Sequence, residues 1–129
     1  MIQMNINLSP VTVKEYQFIQ SYGNETFRIS DIRYEGSVIV FPKKTVQWGV
    51  ASPESITIDS LNSIVFGSEK IRILLIGCGK EHKNLEQGID SELRNHGIFC
   101  EWMNTGAACR TFNVLMAEAR DAAAALIAI

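Results

Sequence analysis

The run Ile71-Arg72-Ile73-Leu74-Leu75-Ile76, ended by Gly77, constrains the fold more than any other stretch of the chain. A short and nearly continuous apolar run is the pattern of a strand covered on both faces, as in a parallel sheet. Leu85, Ile89 and Leu93 then stand four apart and form one apolar stripe of a helix that ends near Gly97. Ile98-Phe99-Cys100-Glu101-Trp102 reads as a second inner strand, and residues 106 to about 120 as a second long helix. Strand, helix, strand, helix is a β-α-β crossover, for which the right hand is the rule. Residues 60–66 supply a short helix ahead of it, with Leu61, Ile64 and Val65 on one side.

The first half of the chain has a different rhythm. Thr26-Phe27-Arg28-Ile29 and Thr45-Val46-Gln47-Trp48-Gly49-Val50 alternate as half-buried strands do. Between them, residues 31–42 hold another strand or a bent pair, with Gly36 as bulge or turn and Pro42 as the stop. Together these fit an antiparallel meander. The tail is ambiguous at this level. Ala122-Ala123-Ala124-Ala125-Leu126 has the highest helix propensity, while Ile127-Ala128-Ile129 suits a last strand packed under helices.

With 129 residues, no internal repeat and no linker, residues 1–129 read as a single domain able to bury its own core. A formal net charge of −2 gives no basic field to hold nucleic acid. The three cysteines, Cys78, Cys100 and Cys109, are odd in number and widely spaced, which argues against a disulfide framework and for a reducing compartment. The start of the chain has no secretory or transit pattern, and no apolar run approaches the roughly 20 residues of a membrane span. The expected setting is cytoplasmic, with no membrane span.

Polar chemistry concentrates after the two inner strands. In open α/β sheets such turns are where ligands sit. Gly77-Cys78-Gly79-Lys80 combines two glycines, which let a backbone approach closely, with a cation. The matching turn leads into Thr105, Gly106, Ala107, Cys109, Arg110, Thr111 and Asn113. Thr105 is the expected helix N-cap, although the reciprocal capping box is missing because position 108 is Ala. Small residues behind it would leave the helix N-terminus open to an anion, and Arg110 could clamp a carboxylate or phosphate. The plainer reading is that the small residues pack against the sheet and Arg110 pairs with a nearby acid. Phe112, Leu115, Met116 and Ala119 form the expected buried stripe, with Cys109, Arg110 and Asn113 largely off it.

Other chemistries fit poorly. Gly77-x-Gly79 lacks the third glycine of the dinucleotide fingerprint, although Glu101 stands near the spacing of a ribose-binding acid, and no Walker loop is present. Cys109 beside Arg110 could carry a lowered pKa and act as nucleophile or redox sensor, but free cysteines are more often small buried hydrophobes. Only His82 and His96 could serve as its base, and neither is adjacent in sequence. No Cys/His pair has metal-ligand spacing and no cofactor motif is present, so metal and cofactor are both read as none. His96, four residues after Glu92, reads as a favourable charge at a helix end. No complete catalytic set emerges.

The stretch Thr105-Gly106-Ala107-Ala108-Cys109-Arg110-Thr111-Phe112-Asn113-Val114-Leu115, with Glu118 and Arg120 beyond, resembles the signature helix of a small domain family. That family includes the mitochondrial complex I assembly factor 3 and the adipogenesis-associated domain protein. Tyr22-Gly23, Phe27, Tyr34-x-Gly36-Ser37, Pro42, Trp48, Gly77-Cys78-Gly79 and Gly97-Ile98 are similar to its pattern too, so the likeness covers roughly residues 10 to 129. The resemblance implies an α/β fold of three layers, with a mixed central sheet flanked by helices, an N-terminal antiparallel β meander and a final strand in the alanine-rich tail. It also implies a non-catalytic accessory role, with respiratory complex I subunits as protein partners, in the mitochondrial matrix if the source is eukaryotic. A homo-oligomer is left open. Two positions depart from the pattern: Cys78 stands where a threonine is expected, and Ala119-Arg120-Asp121 where a Gly-Arg-Arg-like run is expected. A small-molecule pocket at residues 77–80 and 104–113 is the alternative.

Overall fold

The computed structural model describes residues 16–81 and 88–129. Leu85 of the expected helical stripe and His82 therefore lie outside the described residues. Strands β1 (Ile19–Gly23), β2 (Thr26–Ile29) and β3 (Ile32–Glu35) form an antiparallel sheet in the order β1-β2-β3. Each of its hairpins closes on two residues of positive φ, Asn24-Glu25 and Ser30-Asp31. This is the backbone that two-residue hairpins need for their twist. Strand β1 was not anticipated, although Gly23-Asn24 carried its turn signal.

At Gly36, φ +81°, the chain turns out of this sheet and into a second one. The region 31–42 is thus a bent pair, split between sheets as β3 and β4 (Val38–Val40). Strand β5 (Thr45–Gln47) pairs with β4, and two 3-10 turns lead to the short helix α1 (Asn62–Val65). The remaining elements are β6 (Ile73–Gly77), α2 (Ile89–Asn95), β7 (Phe99–Met103), α3 (Thr105–Ala117) and β8 (Ala122–Leu126). The second sheet is mixed, in the order β5-β4-β8-β6-β7, with β6 parallel to both β7 and β8.

Two expectations change. Strand β7 is an edge strand and not an inner one, because α2 carries the chain outward from β6 while α3 carries it back across to the far side of β6. Its alternating exposure, with Phe99 and Glu101 open, follows from that position. The alanine run is a strand despite its helix propensity. Strand β8 is the middle of five, and every residue in it is buried. Its odd and even positions face different layers. Ala123, Ala125 and Ile127 pack with Leu61, Ile64, Ile89, Leu93, Trp48 and Trp102 on the α1–α2 side. Ala122, Ala124 and Leu126 pack with Ala108, Cys109, Phe112 and Met116 of α3 and with Ile19, Phe27 and Ile29 of the three-stranded sheet. Three layers result, and tertiary burial overrides propensity in the central one.

Candidate functional site

Because β6 and β7 are parallel neighbours, with Gly77 in register with Met103, the turns that follow them open on one edge of the sheet. There they bind each other. The Cys78 N–H donates to the Met103 carbonyl (2.8 Å), and the Thr105 N–H donates to the Gly79 carbonyl (2.8 Å). The Thr105 hydroxyl accepts from the Gly79 N–H (3.0 Å) and donates to the Ile127 carbonyl (2.7 Å). The Ile127 N–H in turn donates to the Gly77 carbonyl (2.9 Å). One fully buried hydroxyl thereby joins the ends of β6, β7 and β8. A Cβ on Gly77 would stand 2.9 Å from the Thr105 Cα, so the close approach excludes a side chain there. Cys78, where a threonine was expected, is buried with its thiol directed at the Met103 carbonyl (3.0 Å).

The helix cap lies one residue earlier than expected. Asn104 caps α3, its side-chain oxygen accepting from the Ala107 N–H (2.7 Å), while Thr105 has turned inward as the first helical residue. Nor is the helix N-terminus open. Gly106 is buried, and a Cβ there would meet the Tyr22 hydroxyl at 2.5 Å and Arg110 Nη1 at 3.4 Å. Tyr22 of β1 and the Arg110 side chain therefore lie across the place where an anion was expected. Two clefts, of about 300 and 290 Å³, lie elsewhere, beside Ile56, Gly88 and Glu92 and beside Glu35, Trp48 and Ala128.

Cys109 faces inward, contrary to the expected helix stripe. Helix α3 is covered by the five-stranded sheet below and by β1 on its flank, so its buried arc is wider than a one-sided stripe. Burial pushes the Cys109 thiol from its ordinary value of 9.0 up to about 12, against the opposing pull of Arg110. A thiol in that environment is a packing group and not a nucleophile. Asn113 also turns toward β1. Its side-chain oxygen accepts from the Ile19 N–H (2.9 Å) and its amide donates to the Ile19 carbonyl (2.8 Å). Lys80 and Arg110 remain exposed, and Ala107 and Thr111 half-buried. Tyr22 and Val114 join them on the surface; the sequence offered both only within the family-like pattern and not as site residues. Among the described residues no group of three or more His, Cys, Asp or Glu could hold a metal ion. No described helix is long and apolar enough to cross a membrane.

The family described as a protein of unknown function (DUF498/DUF598) matches residues 19–127, from β1 to the Ile127 carbonyl that Thr105 binds. This chain belongs to the DUF498 family. The NADH dehydrogenase [ubiquinone] 1 alpha subcomplex assembly factor 3 of Xenopus tropicalis is 37% identical over 113 residues, which cover 88% of this DUF498 chain and 62% of the relative. The chain thus spans less than two thirds of that relative's length. Among solved structures, a Bordetella parapertussis protein superposes with a TM-score of 0.82 at 28% identity, over 91% of this chain and 99% of the other. A Bartonella henselae protein described as an outer membrane protein gives 0.81 at 37% identity, over 88% and 96%. The solved structures share the mixed sheet and its flanking layers, and the Xenopus tropicalis relative is named for the assembly of a respiratory enzyme.

Proposed function

We propose that this protein is a non-catalytic accessory factor that engages protein subunits during assembly of a respiratory NADH dehydrogenase. The observation that carries the reading is where the turn residues spend their polar groups. Gly77, Cys78, Gly79 and Thr105 are buried and hydrogen-bonded to one another, to Met103 and to Ile127, so they act as a scaffold. What remains for a partner is the solvent side of α3, with Ala107, Arg110 and Thr111, bordered by Tyr22 and Lys80. The name shared by the assembly-factor relatives supports the same reading. Arginine and tyrosine side chains are common anchors of protein contacts.

The test is to express a tagged chain at native level in its own host and identify what co-purifies, with Arg110→Ala in parallel. Respiratory dehydrogenase subunits retained by the parent and depleted with the variant are the expected result. An Arg110→Ala protein that folds and retains the full set removes Arg110 from the contact. A parent that retains no such subunit overturns the reading.

A further inference from the structure

The solvent face of α3 carries one apolar side chain between two opposite charges. At about 100° per residue, Ala107, Arg110, Val114, Ala117 and Glu118 fall on one arc opposite the buried Ala108, Phe112 and Met116. Val114 lies at its centre and is 57% exposed, one of the most open large apolar side chains of the described chain. An isolated exposed valine needs no explanation. The placement of the charges around this one does. Arg110 stands four residues before Val114 and Glu118 four residues after it. Arg110 has no carboxylate partner among the described residues, and Glu118 holds only Arg120, at 3.6 Å between half-exposed side chains. Exposed pairs of that kind exchange partners at little cost.

We infer that two copies of this chain associate through antiparallel packing of α3 on α3, with the two-fold axis at Val114. About such an axis, residues equidistant from Val114 face each other. Arg110 of each copy then meets Glu118 of the other, twice, and Val114 meets Val114 between them. A parallel arrangement would set Arg110 against Arg110, so the charges specify the orientation as well as the occupant. Isologous contacts require this self-complementarity of a single patch. Ala107 and Ala117 flank Val114 with no side chain large enough to hold the helices beyond the 8–10 Å separation of packed pairs. The ring of Tyr22, 38% exposed beside Gly106, would form an aromatic rim to the contact.

The inference rests on α3 being a contact face, as the proposed function does, and its test separates the two. Sedimentation of the purified protein over a concentration series is expected to show mass rising from one copy to two. Val114→Lys is expected to abolish that rise. Arg110→Glu and Glu118→Arg singly are each expected to weaken it about tenfold, and the double reversal to restore it. Circular dichroism checks that each variant keeps its fold. A parent that stays monomeric throughout overturns the inference, and so does a dimer that Val114→Lys leaves intact. A double reversal that fails to restore what both single reversals lost overturns the antiparallel register. A monomeric parent that still retains respiratory subunits in its host removes only the dimer. A dimer that retains none removes only the assembly role.

Discussion

Thr105 ties together three strand ends through one side chain. Its hydroxyl satisfies the Gly79 N–H and the Ile127 carbonyl at once, in a place with no access to solvent. Thr105→Val keeps the shape and strands both groups. The expected loss is about 2–4 kcal/mol, because each unsatisfied buried group carries its own desolvation penalty. Thr105→Ser keeps the hydroxyl and is expected to cost about 1 kcal/mol, the worth of one lost methyl. Urea unfolding of the two variants checks the ordering; a Val variant as stable as the parent, beside a destabilised Ser variant, would mean that the methyl matters and the hydrogen bonds do not. Sequence reasoning found Thr105 as the natural cap of α3, and the cap is Asn104 instead. The hydroxyl was needed two strands across the sheet from β7, by a carbonyl 22 residues further along the chain, and local pattern holds no trace of that demand.

Among elements, β1 shows how the two sheets are held in one arrangement. It is an edge strand of the three-stranded sheet, and at Ile19 its free backbone groups are taken up by the side-chain amide of Asn113 on α3. The amide imitates one residue of a neighbouring strand, giving and receiving one hydrogen bond. Asn113→Ala is expected to destabilise the fold by about 1–3 kcal/mol. It is also expected to speed hydrogen exchange at the Ile19 amide more than at amides of β6, a local opening of the strand. Uniform acceleration across both strands would place Asn113 outside the β1 attachment. Elements fixed by their own periodicity were legible in the sequence: β2, β5, β6 and α3 lie where alternation or an apolar run put them. Those decided by neighbours were not. Strand β8 needed the resemblance, since alanine prefers helix until it is the only side chain small enough between two packed layers. The two turns of the candidate site share one edge because β6 and β7 are neighbours. That they bind each other could not be read without knowing that β8 ends beside them.

At the scale of the molecule, the five-stranded sheet belongs to both cores. Successive residues of β4, β6 and β8 point alternately into the α1–α2 layer and the α3 layer, so the two cores share one set of strands. The two tryptophans, Trp48 and Trp102, both lie in the first layer, and Cys109 lies in the second. Their separation gives a test of cooperativity through pH. Below about pH 9 the Cys109 thiol is protonated in folded and unfolded chains alike, and its contribution to stability is constant. Between about 9 and 12 the unfolded chain releases that proton while the folded chain holds it, so the unfolded state is favoured and stability falls as pH rises. The slope from this one group is at most about 1.4 kcal/mol per pH unit. Cys109→Ala removes it, leaving a fixed packing cost and the titration of all other groups. The stability advantage of the parent over Cys109→Ala is therefore expected to be constant up to about pH 9 and to shrink above it. If the layers unfold as one unit, tryptophan fluorescence and far-ultraviolet circular dichroism will report the same shrinkage at the same midpoints. A fluorescence transition indifferent to position 109, beside a dichroism transition that is not, would mean that the α3 layer opens on its own and the shared sheet does not bind the two together.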